Sequence, residues 1–418
     1  MRTALLAATK RMPSGALRAD AMLAGRSVLA WQIDAATAMG CERFVCFCDA
    51  PTDTLLSLQK LVEENGGEFH AIRNNLQLVS LVRADDVLVM FADGLLADRA
   101  AAEEFCISEN SDPNDPIEIN LRKGIATLPA GHALVEVNPE DFERIDRDRH
   151  WAGISVMRAG QVHQLADLPP DGDAMSMLLR LALQARVECR PMAETGLTSG
   201  RWIVVDDVAT LTDREAALIH ESGATPSWTS PGKAVATLLT RRIAPKWLDN
   251  GPEITAVTGA FFAALGVGLT GIGYGAAGVG VLALAAFGGA LSVDWSRLRN
   301  RLWGQNETKR YGQWLPALID GLAILALILA MGMGANPVVT VSMATMAIGV
   351  SNLAGASTND RGKSEQSDLP ISLNSMTAFW QDRTTHLAGF ALAAGFGHLP
   401  EAVAGFGVLA LIQMLLRR

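Results

Sequence analysis

ITAVTGAFFAALGVGLTGIGYGAAGVGVLALAAFGGALSV, residues 254–293, runs forty positions without a charged side chain. Hydrocarbon about 30 Å thick takes roughly 20 apolar residues per helix. The stretch is therefore long enough for two spans turning at Gly271-Ile-Gly-Tyr-Gly275. A second run, 312–359, has only Asp320 as an ionisable residue and divides at Gly334-Ala-Asn-Pro337. A third pair, about 385–397 and 400–416, is shorter, Gly-rich and broken at Gly397-His-Leu-Pro400. The expectation is six spans in three hairpins.

Basic residues of short loops collect on the cytoplasmic side. Arg241, Arg242 and Lys246 precede the first span, and Arg297, Arg299, Arg301, Lys309 and Arg310 lie between the second and third. Arg361, Lys363 and Arg383 fall between the fourth and fifth, Arg417 and Arg418 end the sequence, and the hairpin tips carry neither Lys nor Arg. An integral inner-membrane protein of six spans with both termini in the cytoplasm accounts for every cluster.

Composition changes near residue 250. The preceding part carries most of the charge, has no run long enough to span, and is large enough to bury a core. The net charge of −9 argues against nucleic-acid binding, which calls for a basic face. Met1-Arg-Thr leads directly into a short apolar strand ending at Lys10 and Arg11, so a cytoplasmic domain without a leader is expected. Cys41, Cys46, Cys48, Cys106 and Cys189 show no Cys-x-x-Cys spacing and read as buried thiols of a reducing compartment.

Strand-length apolar segments alternate with amphipathic ones of helix length: 3–8 then 27–39, 43–48 then 52–64, 68–72, and 86–92 then 99–105. Such alternation predicts an α/β domain, doubly wound around a mainly parallel sheet. Ligands of open α/β sheets bind beyond the carboxyl ends of the strands. Asp93 follows Val87-Leu-Val-Met-Phe-Ala92 there, with Gly94 beside it, and Asp206 follows Arg201-Trp-Ile-Val-Val205. Paired strand-end acids suit Mg²⁺ on a nucleotide phosphate; the competing assignment is that they cap the following helix.

Together these segments resemble the GT-A-like (Rossmann-like) nucleotidyltransferases, the sugar-phosphate and inositol-phosphate cytidylyltransferases. Leu5-Leu-Ala-Ala8 resembles the opening strand, and Leu23-Ala-Gly-Arg-Ser-Val-Leu-Ala-Trp-Gln-Ile33 the L-x-G-x-P-L-L-x-x-x-I segment. Gly40-Cys-Glu-Arg-Phe-Val45 resembles the second strand, Phe91-Ala-Asp-Gly94 the metal-binding Asp, and Trp202-Ile-Val-Val-Asp206 with Ala216-Ala-Leu-Ile219 the W-x-x-V-D end. The family cradles phosphates on a Gly-rich loop. Here that loop reads Ala7-Ala-Thr-Lys-Arg-Met-Pro-Ser-Gly15, without the early glycines, and Lys10, Arg11 and Arg18 are the cations that would neutralise phosphate.

The membrane part resembles the six-span CDP-alcohol phosphatidyltransferases, whose motif is D-x-x-D-G-x-x-A-R-x8-G-x3-D-x3-D. Leu291-Ser-Val-Asp294 ends the second expected span, Arg297, Arg299 and Arg301 follow, and Gly312-Gln-Trp-Leu-Pro-Ala-Leu-Ile-Asp320 opens the third. Pro252-Glu-Ile-Thr255 resembles the P-N-x-x-T start of the first helix. Pro316 stands where the motif has an aspartate, and the polar stretch 304–310 fills the gap before Gly312. A carboxylate inside a span is by default a functional-site signal, which singles out Asp320; its alternative is a position near the interface marked by Tyr311 and Trp314. Asp294 beside Arg297 is either a ligand or an ion pair.

The two resemblances imply a cytidylyltransferase-like domain at 1–225, a linker and juxtamembrane helix at 226–250, and a six-helix membrane domain at 251–418. They imply a transferase of phospholipid or phospho-alcohol metabolism. Its substrates would be CTP or a CDP-alcohol and a membrane lipid, and a homodimer is implied. Mg²⁺ or Mn²⁺ would be held by Asp93, Asp206, Asp294 and Asp320, with Asp320 as catalytic base and Lys10, Arg11, Arg18, Arg297 and Arg299 on the substrate. The gaps in both motifs leave open a non-catalytic regulatory or scaffold subunit from the same fusion. His386, His398 and Glu401 read as non-ligands, 359–368 as a solvated connector, and 111–116 as a turn-rich excursion. Basic residues after the helix expected at 233–239 would meet anionic headgroups.

Overall fold

The computed structural model describes residues 1–107, 121–137, 139, 142–168, 173–193, 197, 202–247, 250–303, 311–332, 337–356 and 379–416. The stretches 111–116, 304–310, 334–336 and 359–368 lie outside the described residues, as do Arg201, Arg417, Arg418 and the side chains of Lys246, Tyr311 and Trp314. Contacts divide the chain into Met1–Glu215 and Ala216–Arg418.

The first unit opens on β1 (Arg2–Ala8), buried at every residue after the first, as a strand covered on both faces must be. The ribbon β2 (Met22–Leu23) and β3 (Arg26–Ser27) follows, then α1 (Val28–Ala38), β4 (Arg43–Cys48), α2 (Asp53–Glu64), β5 (Glu68–Ile72) and α3 (Asn75–Leu81). Next come β6 (Val87–Phe91), β7 (Leu95–Leu96), α4 (Arg99–Cys106), β8 (Gly124–Pro129), α5 (Ala133–Val137) and β9 (Arg149–Arg158). A 3-10 segment Ala159–Asp167, α6 (Ala174–Gln184), β10 (Cys189–Pro191) and β11 (Ile203–Val204) follow, and the division at Glu215 falls within α7 (Val208–Ser222). Side chains of Ser27, Thr52, Asn74 and Asp98 accept from backbone N–H groups at the heads of α1 to α4, each cap worth about 1 kcal/mol.

The main sheet has the order β10-β8-β9-β6-β1-β4-β5. β1 pairs in parallel with β4 and β6, β4 with β5, and β8 with β10; only β9 runs against its neighbours. This mixed sheet, mainly parallel, is consistent with a Rossmann or GT-A-like fold. From β1 the chain winds first to β4 and β5, then crosses back to β6, so the strand order reverses between β1 and β6. α1 packs with α4, whereas α3 and α6 pack with the 3-10 segment, as crossovers in two directions require.

From sequence alone no strand is expected between residues 93 and 201, yet β8, β9 and β10 lie there. β9 is buried from Trp151 to Met157, so it has no polar alternation to reveal it, and Gly153 interrupts its apolar run. Cys41, Cys46, Cys48 and Cys106 are buried and Cys189 is partly buried. Burial pushes the Cys41 thiol up to about 12.

The second unit is helical: α8 (Pro231–Trp247), α9 (Gly251–Gly271), α10 (Gly275–Trp303), α11 (Tyr311–Met331), α12 (Pro337–Ala356), α13 (Arg383–Gly395) and α14 (Leu399–Leu416). Helices thus stand where the six spans are expected, but the count of spans needs correction. Only α9 and α10, with mean hydropathy 1.6 and 2.0, are long and apolar enough among the described residues to cross a membrane. α13 has 13 residues, which rise about 20 Å, short of a hydrocarbon core about 30 Å thick. Pro316 sits inside α11, where it removes a backbone donor.

α9 and α10 pack closely because glycines face each other. A Cβ on Gly278 would fall 2.6 Å from the Gly266 carbonyl and 2.8 Å from the Thr270 nitrogen. Gly278→Val is expected to cost about 3 kcal/mol, the upper range for overpacking, and to lower the thermal midpoint in detergent. Gly268→Val, at a position with open space around its Cβ, should be near neutral. An equal response of the two variants would refute this account of the hairpin.

Candidate functional site

β1 and β6 end side by side at the point where strand order reverses, the place where open α/β sheets bind ligands. Thr9 and Lys10 leave β1 there, and Asp93 and Gly94 leave β6. Asp93 is buried, and it does not cap a helix. Its Oδ2 accepts from the Thr9 N–H at 2.7 Å, the Thr9 hydroxyl at 2.9 Å and the Lys10 N–H at 2.7 Å. Its Oδ1 is buried and has no hydrogen-bond partner among the described residues. Burial pushes the Asp93 carboxyl above the usual range, although the Lys10 and Thr9 donors oppose the shift.

The strap around Asp93 comes from α1. Buried Gln32 donates through Nε2 to the carbonyls of Ala92 at 2.9 Å and Leu95 at 2.8 Å. Neither Gln32 nor Thr9 is singled out by the sequence. The available signal is a glutamine on the buried face of α1, among Leu29, Ile33 and Ala36.

Asp206 reaches the same crevice through the two-stranded ribbon of β7 and β11, in which Val204 pairs with Leu95 and the Val205 N–H donates to the Gly94 carbonyl at 2.9 Å. Trp202 anchors that segment, donating through Nε1 to the Ala152 carbonyl at 2.9 Å. Arg18 then closes the arrangement, since its Nη2 pairs with Asp206 Oδ1 at 2.7 Å while its stem crosses Gly94. Gly94 has φ +78°, and a Cβ there would fall 2.8 Å from the Arg18 Cβ, so the position needs glycine on both counts. Lys10, Arg18, Asp93 and Asp206 are thus brought together. Arg11 is turned away, donating to the Gly15 carbonyl at 2.8 Å across a loop closed by its own backbone bonds.

In the second unit a charged cluster joins α8, α10, α11 and α13. Asp294 accepts from the Thr237 hydroxyl at 2.7 Å and lies 3.9 Å from Arg297. Asp320 pairs with Arg383 Nε at 2.8 Å, and Arg383 also donates to the Ser351 hydroxyl at 2.7 Å and the Ile348 carbonyl at 3.2 Å. Lys233 donates to Gln381 at 3.2 Å; burial and then Arg297 hold its pKa below the usual range, against Asp382 and Asp294. Buried Asp382 accepts from the Gly232 N–H at 2.8 Å and from Thr385, capping α13 while fixing the head of α8. Lys233, Asp382 and Arg383 were expected only as part of a juxtamembrane helix and a loop.

Arg299 stands apart from this cluster, five positions and about 140° around the helix from Asp294. It is buried, pairs with Glu253 at 3.3 Å and lies over Trp303. Arg241, expected at headgroups, instead donates to the carbonyls of Gly223 and Ala224.

Mg²⁺ can be held by one or two carboxylates with substrate phosphates, and Asp93, with its unpartnered Oδ1, fits as a single ligand. Asp206, Asp294 and Asp320 each accept through one oxygen from a built-in donor, Arg18, Thr237 and Arg383 respectively. Among the described residues no three His, Cys, Asp or Glu side chains are grouped to hold a metal ion.

No protein-family model matches the chain, and no curated protein matches it. A solved structure, the inositol-1-phosphate CTP transferase from T. maritima, aligns over 51% of this chain and 96% of its own, with 15% identity and a TM-score of 0.33. That is a weak, partial likeness of fold, and the chemistry rests on the geometry above.

Proposed function

We propose that the chain is a membrane-associated transferase of phospholipid or phospho-alcohol metabolism, whose α/β unit binds CTP or a CDP-alcohol. The observation that carries this reading is the buried Asp93 carboxylate at the strand-order reversal, with one oxygen fixing the loop after β1 and the other unpartnered. Mg²⁺ held there would offset charge on a diphosphate, and Lys10 is the nearby cation on the loop. The helical unit is proposed to enter the membrane through the α9–α10 hairpin, with both termini in the cytoplasm. Its cluster of Lys233, Asp294 and Arg297 would meet the phosphate-bearing end of a membrane lipid. Asp320 enters as the residue that fixes Arg383.

A second reading, a non-catalytic scaffold or regulatory subunit, is favoured by a different observation. The Thr9 and Lys10 N–H groups, which a phosphate cradle would use, are spent on Asp93, and arginines occupy Asp206 and Asp320.

Calorimetry on full-length protein in detergent separates the two. The transferase reading expects CTP or CDP-alcohol binding that requires Mg²⁺ and falls about tenfold or more, a loss of at least 1.4 kcal/mol, in Asp93→Asn. Absence of saturable nucleotide binding, with and without Mg²⁺, would overturn it in favour of the scaffold.

A further inference from the structure

A cavity of about 470 Å³ opens at the β10 edge of the sheet, between β10, Arg122 ahead of β8, and α4. β8 and β6 both run against β9, so Arg122, which precedes β8, lies at the end of the sheet opposite Asp93. This cavity belongs to neither site described above.

Its centre is Arg190. The guanidinium Nη2 donates to the Phe105 carbonyl at 3.0 Å and the Arg122 carbonyl at 3.2 Å, and the group stacks 4.3 Å from the centroid of the Phe105 ring. On its other side lies Gly124, where a Cβ would fall 2.5 Å from Nε. The guanidinium is therefore a fixed plane, not a solvated tip. Neither Arg190 nor Arg122 forms an ion pair among the described residues, although Glu104 and Glu188 stand exposed on the same rim. Burial and then the neighbouring Arg122 hold the Arg190 pKa below its usual value, against Cys106 and Glu188. The two guanidinium groups stand beside an apolar floor of Phe105, Pro191 and Met192, with no carboxylate paired to either among the described residues.

We propose that this cavity binds a small organic anion, its phosphate or carboxylate held between Arg122 and Arg190 and its carbon skeleton resting on Phe105 and Met192. Arginine suits such an anion because its planar fork matches two oxygens at once. The volume lies within the range of small-molecule pockets. The proposal does not depend on nucleotide binding at Asp93.

Calorimetric titration of the full-length protein with inorganic phosphate and with phenyl phosphate tests it. Both are expected to bind saturably, phenyl phosphate about tenfold more tightly because its ring buries apolar surface. Arg122→Gln removes an exposed side chain with no hydrogen bond among the described residues and should weaken both about tenfold. Asp93→Asn should leave both unchanged. Equal affinities in wild type and Arg122→Gln, loss in Asp93→Asn instead, or no saturable binding of either probe would each overturn the proposal.

Discussion

Arg383→Met is expected to destabilise the helical unit by about 3–5 kcal/mol, the cost of removing one partner from a buried ion pair. Both side chains are nearly enclosed, Arg383 12% and Asp320 16% exposed, and their contact at 2.8 Å joins α13 to α11. The guanidinium also joins α12, through Ser351 and the Ile348 carbonyl. Its loss would remove one connection among three helices and leave the Asp320 carboxylate without its guanidinium. The double variant Asp320→Leu/Arg383→Met should recover most of the loss, because no charge then remains buried. Thermal unfolding in detergent and the monodisperse fraction on size exclusion measure both effects. If Arg383→Met stays within about 1 kcal/mol of wild type, or the double variant is worse than the single, the pair does not hold the helices together.

That result bears on what Asp320 is for. A carboxylate within an apolar helix signals function by default, but here the signal has a structural explanation in a residue 63 positions away. Loss of activity in Asp320→Asn would therefore not by itself identify a base. The informative comparison is with Arg383→Lys, which keeps the charge but loses the planar fork.

The parallel half of the sheet was legible because its strands are uniform apolar runs. β4 and β5 fall on the expected residues, β1 starts one residue earlier, and β6 is one residue shorter at each end. β9 was not legible, since a strand buried on both faces and broken by Gly153 carries neither alternation nor a clean run. Asp93 and Asp206 could be placed at strand ends from the apolar stretches before them. Their partners could not, because Arg18 lies 188 positions from Asp206 and Thr9 84 from Asp93, and no local pattern encodes such pairs. In the helical unit one cue was available. Gln381-Asp-Arg-Thr-Thr385 has the form of a helix N-cap, and it places Asp382 and Arg383 at the head of α13, not in the connecting loop. Loop-charge counting places Arg383 between the fourth and fifth expected spans because it sees sign and sequence position but not burial.

Asp93→Ala is the second large effect expected. It strands three donors at once, the N–H groups of Thr9 and Lys10 and the Thr9 hydroxyl. Each donor left unsatisfied costs about 1–3 kcal/mol; with partial access to water the sum should be about 3 kcal/mol. Asp93→Asn keeps an acceptor oxygen and should lose less. Amide exchange at Thr9 and Lys10 should accelerate in the alanine variant, which separates a local opening from global instability. The pH dependence has a definite sign. Burial raises the folded-state pKa of Asp93, so the folded protein binds that proton more tightly than the unfolded chain. Its contribution is fully present below the unfolded pKa, about 4, and is lost as pH rises through the folded value. In chelator-treated protein the unfolding free energy of wild type should thus fall relative to Asp93→Asn from about pH 4 upward, then level off above the folded pKa. A rise over that window would mean that the three donors outweigh burial. The unpartnered Oδ1 would then be no obstacle to a charged carboxylate, and the loop after β1 would be held by a stronger anchor than the one inferred here.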